Sequence, residues 1–175
     1  MADEFVRLSR DLVHKGSIID YYKDTVQVPN GDVVKWDFIG HKGAAAVIPV
    51  TKEGKILMVR QYRNALDRYT LEIPAGGLNP KESTLAAATR ELEEETGYKS
   101  DNISFLVSIY TTVAFCNEKI DIYVARDLVP SKQNLDEDEF IDVESYTVEE
   151  LLSKIYAGEI QDSKTICGIM AFRLK

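Results

Sequence analysis

The sequence predicts an α+β chain folded as a mixed α/β sandwich. Short apolar or alternating stretches, each bounded by Gly, Pro or Asn, recur through most of its length, as strands do. Only three stretches carry helical period and caps, and all lie beyond residue 80. Strands and helices do not alternate strictly, so a purely parallel sheet is not expected. The 175 residues suffice for one sizeable core with a small appended element.

Residues 16–28 and 32–40 read as two strands around the turn signal Pro29-Asn30-Gly31. Residues 44–50 (AAAVIPV) and 55–62 (KILMVRQY) read as a second pair around Glu53-Gly54. A short strand over 69–74 (YTLEIP) runs into Ala75-Gly76-Gly77, where the chain must bend. A helix is expected from Thr84 to Thr96, with Ser83 as N-cap and Gly97 just past its end. Residues 103–111, 120–128 and 139–146 supply three further strands. Thr147 and Glu150 make a capping box for a helix over 148–157. After Gly158, Asp162 or Ser163 opens a last helix toward Leu174.

The net charge of -8 argues against a general nucleic-acid binder, which needs a basic face. Ala44 to Val50, the longest apolar run, is too short to span a bilayer, and the first 30 residues show no signal-peptide pattern. Cys116 and Cys167 stand far apart without metal spacing, and read as reduced thiols of a cytoplasmic protein. His14 and His41 are too few and too scattered for a histidine metal site.

Residues 90–97 (RELEEETG) place Glu91, Glu93, Glu94 and Glu95 in the last turn and a half of the expected helix. The helix dipole disfavours acids there, and like charges at i, i+4 cost roughly 0.2–0.5 kcal/mol per pair. At 3.6 residues per turn, Glu91, Glu94 and Glu95 share about 100° of one face. They border the stripe Leu85, Ala88 and Leu92, which should pack on a sheet, while Glu93 points to solvent. A solvated acidic face would lie opposite the buried stripe. A hard divalent cation accounts for the placement, because Mg²⁺ prefers carboxylate oxygens and cancels their repulsion.

The stretch 76–98 resembles the Nudix box: Gly76, five residues, Glu82, seven residues, then Arg90-Glu91-Leu92, Glu94-Glu95 and Gly97. The closing position, aliphatic in the pattern, is Tyr98 here. The resemblance implies a Nudix-type α/β/α sandwich over 43–175, preceded by a small antiparallel β subdomain over 1–42 that mediates dimerisation and helps enclose substrate. It implies hydrolysis of a diphosphate with Mg²⁺, or Mn²⁺ as a substitute. Glu91 and Glu95 become the principal metal ligands, with Glu94 assisting, the Ala75 carbonyl joining and Glu82 ranked lower. Arg90 is placed to pair with Glu94 and orient it.

Residues 60–66 and 71–78 (RQYRNAL, LEIPAGGL) resemble the ADP-ribose pyrophosphatase group of that family. In that group an arginine in the place of Arg63 contacts the diphosphate or terminal ribose. The bland alternative for Arg63 is a surface ion pair. Trp36 aligns with an adenine-stacking position, against which stands simple packing. For the general base the resemblance offers Glu118, in the connection between the two strands after the box helix, with Glu139 as runner-up. The expected activity is cleavage of ADP-ribose to AMP and ribose 5-phosphate by a cytoplasmic homodimer. The alternatives are a GDP-mannose or other nucleotide-sugar pyrophosphatase and a non-catalytic, ADP-ribose-sensing Nudix module.

Overall fold

The structure is a computed structural model describing residues 4–135, 137 and 139–175. It divides into two compact units, one holding the chain up to Gly43 with Tyr110–Glu118, the other Ala44–Ile109 with Lys119–Lys175.

The first unit is an antiparallel meander of β1 (Val6–Lys15), β2 (Ile19–Gln27) and β3 (Val33–His41), in the order β1-β2-β3. The expected turn at 29–31 joins β2 to β3, with Gly31 at φ 92°, a left-handed conformation that favours glycine. Strand β1 was absent from the sequence expectation. Its pairing with β2 shifts register between Arg7 and Ser9 and again between Leu12 and His14. Each bulge resets the two-residue alternation, so no uninterrupted strand pattern is visible. Inside the sheet, Arg10 donates to buried Asp24 at 2.7 and 2.6 Å, and its guanidinium lies 3.5 Å from the centre of the Phe38 ring. The segment 110–118 joins this unit through Ile39 N–H, which donates to the Phe115 carbonyl at 2.7 Å.

The second unit is built around β4 (Ala44–Pro49), buried at every position. It lies parallel to β10 (Lys119–Arg126) and antiparallel to β7 (Ala75–Gly77), and β9 (Asn102–Tyr110) completes the sheet in the order β7-β4-β10-β9. The residues expected only to bend the chain at 75–77 therefore also form a short strand. A second sheet has the order β12-β5-β6, from β12 (Ile141–Tyr146), β5 (Ile56–Arg63) and β6 (Arg68–Glu72). A two-stranded ribbon pairs β11 (Val129–Pro130) with β8 (Tyr98–Lys99).

The expected hairpin of 44–50 with 55–62 does not form. β4 and β5 belong to different sheets, and the backbone pairing of these segments is limited to the isolated bridge Val50–Ile56. The physical reason lies in β4 itself. A strand with no polar face must be covered on both faces, so its alternate residues enter two cores. Ala45 and Val47 pack with Ala87, Ala88 and Leu92 of α1 (Thr84–Thr96). Ala44, Ala46 and Ile48 pack on the other side with Met58, Ile73 and Ile122. Leu151 of α2 (Val148–Tyr156) and Ile169 of α3 (Ser163–Leu174) close that second core. This is the mixed α+β sandwich.

The helix caps follow the expectation. Ser83 Oγ accepts from Ala86 N–H at 3.2 Å, the box of Thr147 with Glu150 is complete, and Asp162 caps α3. The buried stripe of α1 is Ala87, Ala88 and Leu92, whereas Leu85 is exposed. The expected stripe was therefore out of phase at its first residue. Ala87 and Ala88 bring the first half of the helix close to β4, and Leu92 fills the space further along.

Candidate active site

The acidic face of α1 is organised by Arg90. Its Nε and Nη2 donate to the two oxygens of Glu82 at 3.0 and 3.1 Å. Nη1 donates to Glu91 Oε1 at 2.5 Å and to Glu94 Oε2 at 2.8 Å, and Nη2 reaches the Gly77 carbonyl at 3.1 Å. The expected pairing with Glu94 is present, and one guanidinium also holds two further carboxylates. Glu82 is thereby tied into the structure, its second oxygen also accepting from Asn79 N–H at 2.9 Å.

Glu91 and Glu95 are buried, at 7% and 2% exposure. Carboxylates are almost never this buried unless paired. Burial raises the pKa of Glu91, and Arg90 offsets only part of that rise. For Glu95, burial together with the charges of Glu91 and Glu139 outweighs the Ala75 N–H bond and the charge of Lys164, bringing it to about 8. Ala75 enters the site through its amide, which donates to Glu95 Oε2 at 3.0 Å. A Cβ on Gly76 would lie 1.9 Å from Glu91 Oε1. The chain must be glycine here for that carboxylate to rest against it.

Among the described residues, no three His, Cys, Asp or Glu side chains form a ready-made metal cage. The residues nonetheless fit a hard divalent cation. Glu91 and Glu95 are buried carboxylates whose ionised forms are disfavoured without a cation, and Glu94 borders them. A cation bound there would favour the ionised form of both and offset their mutual repulsion.

The C-terminal end of α1 is held by a strap that the sequence reading did not find. Gly97, at φ 72°, closes the helix with its N–H on the Glu93 carbonyl. The orphan carbonyls of the last turn are then taken by the segment 131–134. Ser131 N–H donates to Gly97 O at 2.7 Å, Gln133 Nε2 to Glu95 O at 2.7 Å, and Asn134 N–H to Glu94 O at 2.9 Å. Glu93, expected to face solvent, is half-buried and accepts from Ser131 Oγ. The strap leads to Glu139, whose charge is felt at both Glu91 and Glu95.

Arg63, the last residue of β5, holds Glu72 at both oxygens, at 2.7 and 2.6 Å. The ion pair that stood as its bland alternative is therefore present, though not on the surface, since Glu72 is 2% exposed. Lys164 of α3 donates to the same carboxylate. Neither Glu72 nor Lys164 was singled out by sequence. The available signal was an acid, Glu72, in an otherwise apolar strand end and a lysine just inside the N-cap of α3.

The remaining candidates belong to the first unit. Glu118 accepts from Thr111 Oγ1 at 2.7 Å and faces His41 Nε2 at 3.6 Å. Trp36 is half-exposed beside Phe5, at 5.9 Å between rings, and lines a cleft of about 370 Å³ with Phe38, Tyr110 and Phe115. Thus Arg90, Glu82, Glu91, Glu94, Glu95, Ala75, Arg63 and Glu139 lie in one unit, and Glu118 and Trp36 in the other.

The fold is a mixed α+β sandwich in which one helix presents buried carboxylates beside a glycine-rich strand. The NUDIX domain profile matches residues 40–167, and the chain belongs to that family. It is 39% identical over 170 residues to the ADP-ribose pyrophosphatase of Bacillus subtilis (strain 168), covering 96% of this chain and 92% of that protein. It is 40% identical over 171 residues to the methanol dehydrogenase activator of Bacillus methanolicus, with the same coverage of 96% and 92%. The ADP-ribose pyrophosphatase of Mycobacterium tuberculosis (strain ATCC 25618 / H37Rv) is 32% identical, covering 96% of this chain and 83% of that protein. A crystal structure of an ADP compounds hydrolase superposes with a TM-score of 0.86 at 20% identity, covering 97% of this chain and 92% of that one. No helix among the described residues is long and apolar enough to cross a membrane.

Proposed function

We propose that the protein hydrolyses the diphosphate bond of ADP-ribose, giving AMP and ribose 5-phosphate, with Mg²⁺ as its metal. The observation that carries this reading is the buried pair Glu91 and Glu95, whose raised pKa values mark a site built for a cation. The likeness to two proteins named ADP-ribose pyrophosphatase supports the choice of substrate.

Glu91 and Glu95 would hold the ion, with Glu94 beside them. When bound, a divalent cation neutralises diphosphate oxygens and lowers the pKa of water. Arg90 fixes the carboxylates, and the Ala75 amide orients Glu95. Glu139 is our choice of general base, since its charge reaches both buried acids. Glu118, favoured on sequence grounds, is the rival. Arg63 is the contact for the substrate diphosphate and Trp36 the stacking partner of its base. The exposed apolar residues of the edge strand β1, Leu8 and Leu12 among them, support a homodimer through the first unit. The free thiols of Cys116 and Cys167 are in keeping with the cytoplasm.

The test is a panel of nucleoside diphosphate sugars with Mg²⁺, read by release of nucleoside monophosphate. AMP from ADP-ribose is expected to dominate. Preferred release of GMP from GDP-mannose would move the substrate, and binding of ADP-ribose without turnover would make the protein a sensor.

A further inference from the structure

Among the described residues, the Nε2 of Gln61 is the one fully buried side-chain nitrogen or oxygen without a hydrogen-bond partner. The residue itself is 9% exposed. An amide donor sealed off in this way lowers stability, so its presence calls for a reason outside the fold. Glu72, on the neighbouring strand, does not serve it. Its Oε1 already accepts from Arg63 and Thr70, and its Oε2 from Arg63 and Lys164.

The register of β5 shows where this donor stands. Ile56 and Met58 enter the core shared with α2 and α3, so Leu57, Val59, Gln61 and Arg63 occupy the other face. Arg63, next along that face, lies near enough to Glu95 for their charges to interact. On the other side of β5, Gln61 pairs with Ile141 of β12, two residues after Glu139. The charge of Glu139 is felt at Glu91 and Glu95, and α1 packs against both β5 and β12. Gln61 is thus flanked, along its strand and across it, by the two groups that reach the acidic helix. We propose that Gln61 is a further substrate-binding residue, its carboxamide donating to an oxygen of the substrate diphosphate beside Arg63. The Nε–Nη2 edge of Arg63 stays on Glu72, and its outer edge and the Gln61 amide then face the same group. The proposal rests on the reading of the protein as a hydrolase of a nucleoside diphosphate sugar.

The experiment compares wild type with Q61M and Q61L, which keep most of the side chain's bulk and remove its donor. KM and kcat for ADP-ribose are measured in Mg²⁺. Calorimetric titration with ADP, which carries the diphosphate without the terminal ribose, and metal-free thermal melts complete the set. KM is expected to rise about 10- to 100-fold, the loss of a hydrogen bond to a charged group, with kcat little changed. The dissociation constant of ADP should rise by a similar factor. Stability should not fall with affinity, because the variants no longer bury an orphaned amide, so both should melt at or above the wild-type temperature. An amide that served only the fold, through a buried water, would give the opposite pair, a lower melting temperature with KM unchanged, and that result overturns the proposal. A raised KM with wild-type ADP affinity moves the contact to the terminal sugar and overturns the diphosphate assignment. Should one variant fail to fold, the other is read alone, and failure of both overturns the proposal in favour of a structural role. Wild type that leaves ADP-ribose uncleaved removes the substrate reading alone, and the ADP titration still decides the role of Gln61.

Discussion

Gly76→Ala tests how closely the backbone and the acidic helix are fitted. The added Cβ would lie 1.9 Å from Oε1, 2.3 Å from Cδ and 2.7 Å from Oε2 of Glu91. To restore a contact of about 3.4 Å, the carboxylate has to retreat by roughly 1.5 Å. It is the far end of a flexible side chain, so the helix itself need not move. The stability cost is then that of ordinary overpacking, about 1–3 kcal/mol. The functional cost is larger. The retreat takes Oε1 away from Arg90 Nη1, now 2.5 Å distant, and off the face it shares with Glu95. Metal bonds tolerate errors of only about 0.2 Å, so divalent affinity is expected to fall roughly 10- to 100-fold. Mn²⁺ titration by calorimetry gives the affinity, Mg²⁺ dependence of turnover gives its consequence, and a thermal melt verifies the fold. Wild-type Mn²⁺ affinity in a folded G76A protein would refute the claim that Glu91 works from its place against Gly76. Global unfolding would refute the claim that the side chain yields before the backbone.

Glu95 is protonated up to about pH 8 in the metal-free protein. Burying its charged form therefore destabilises the apo protein as pH rises from the ordinary carboxylate range through about 8, a slope that melts in EDTA should show and that Glu95→Gln and added metal should each abolish. Glu72 behaves oppositely. Burial raises its pKa, but Arg63 and Lys164 outweigh that and hold it at about 2 against an ordinary 4.5, so its contribution of about 3 kcal/mol is present above 4.5 and lost as pH falls toward 2. Acid denaturation of Glu72→Gln should lack this limb. Glu139→Gln is expected to lower kcat roughly 10²–10⁴-fold with KM nearly unchanged; the same loss in Glu118→Gln, with Glu139→Gln near wild type, transfers the base to Glu118. Leu12→Lys on β1 should shift sedimentation from dimer to monomer, and an unaltered dimer would place the interface elsewhere.

Features fixed by near neighbours in the chain were legible beforehand. Helix α1 begins after Ser83 and ends before Gly97 because the side-chain oxygen of one and the left-handed backbone of the other decide those ends locally. The same is true of Thr147 with Glu150. Pairing partners were not legible, because β4 and β10 are separated by 69 residues of chain. The phase of α1 depended on which residues β4 could accept. Within the site, Glu91, Glu94 and Glu95 were readable from their spacing, since one helix carries all three. Arg90 was readable as their partner, but the supports around them were not: Lys164 and Glu72 stand 92 positions apart, and the strap at 131–134 donates mainly backbone and amide N–H groups.

That strap also works as a ruler. Asn134 is pinned to the end of α1 by a backbone bond to Glu94, and Glu139 follows five residues later. Five residues span at most about 18 Å, which bounds how far the carboxylate can lie from the pin. On the proposed role of Glu139, the number of residues after the pin is expected to matter more than their side chains. Inserting or deleting a single residue between 134 and 139 should damage turnover as much as removing Glu139 itself, while leaving the helix, its cap and the buried acids untouched. Evolution of this segment is then expected to be permissive in letters and strict in number.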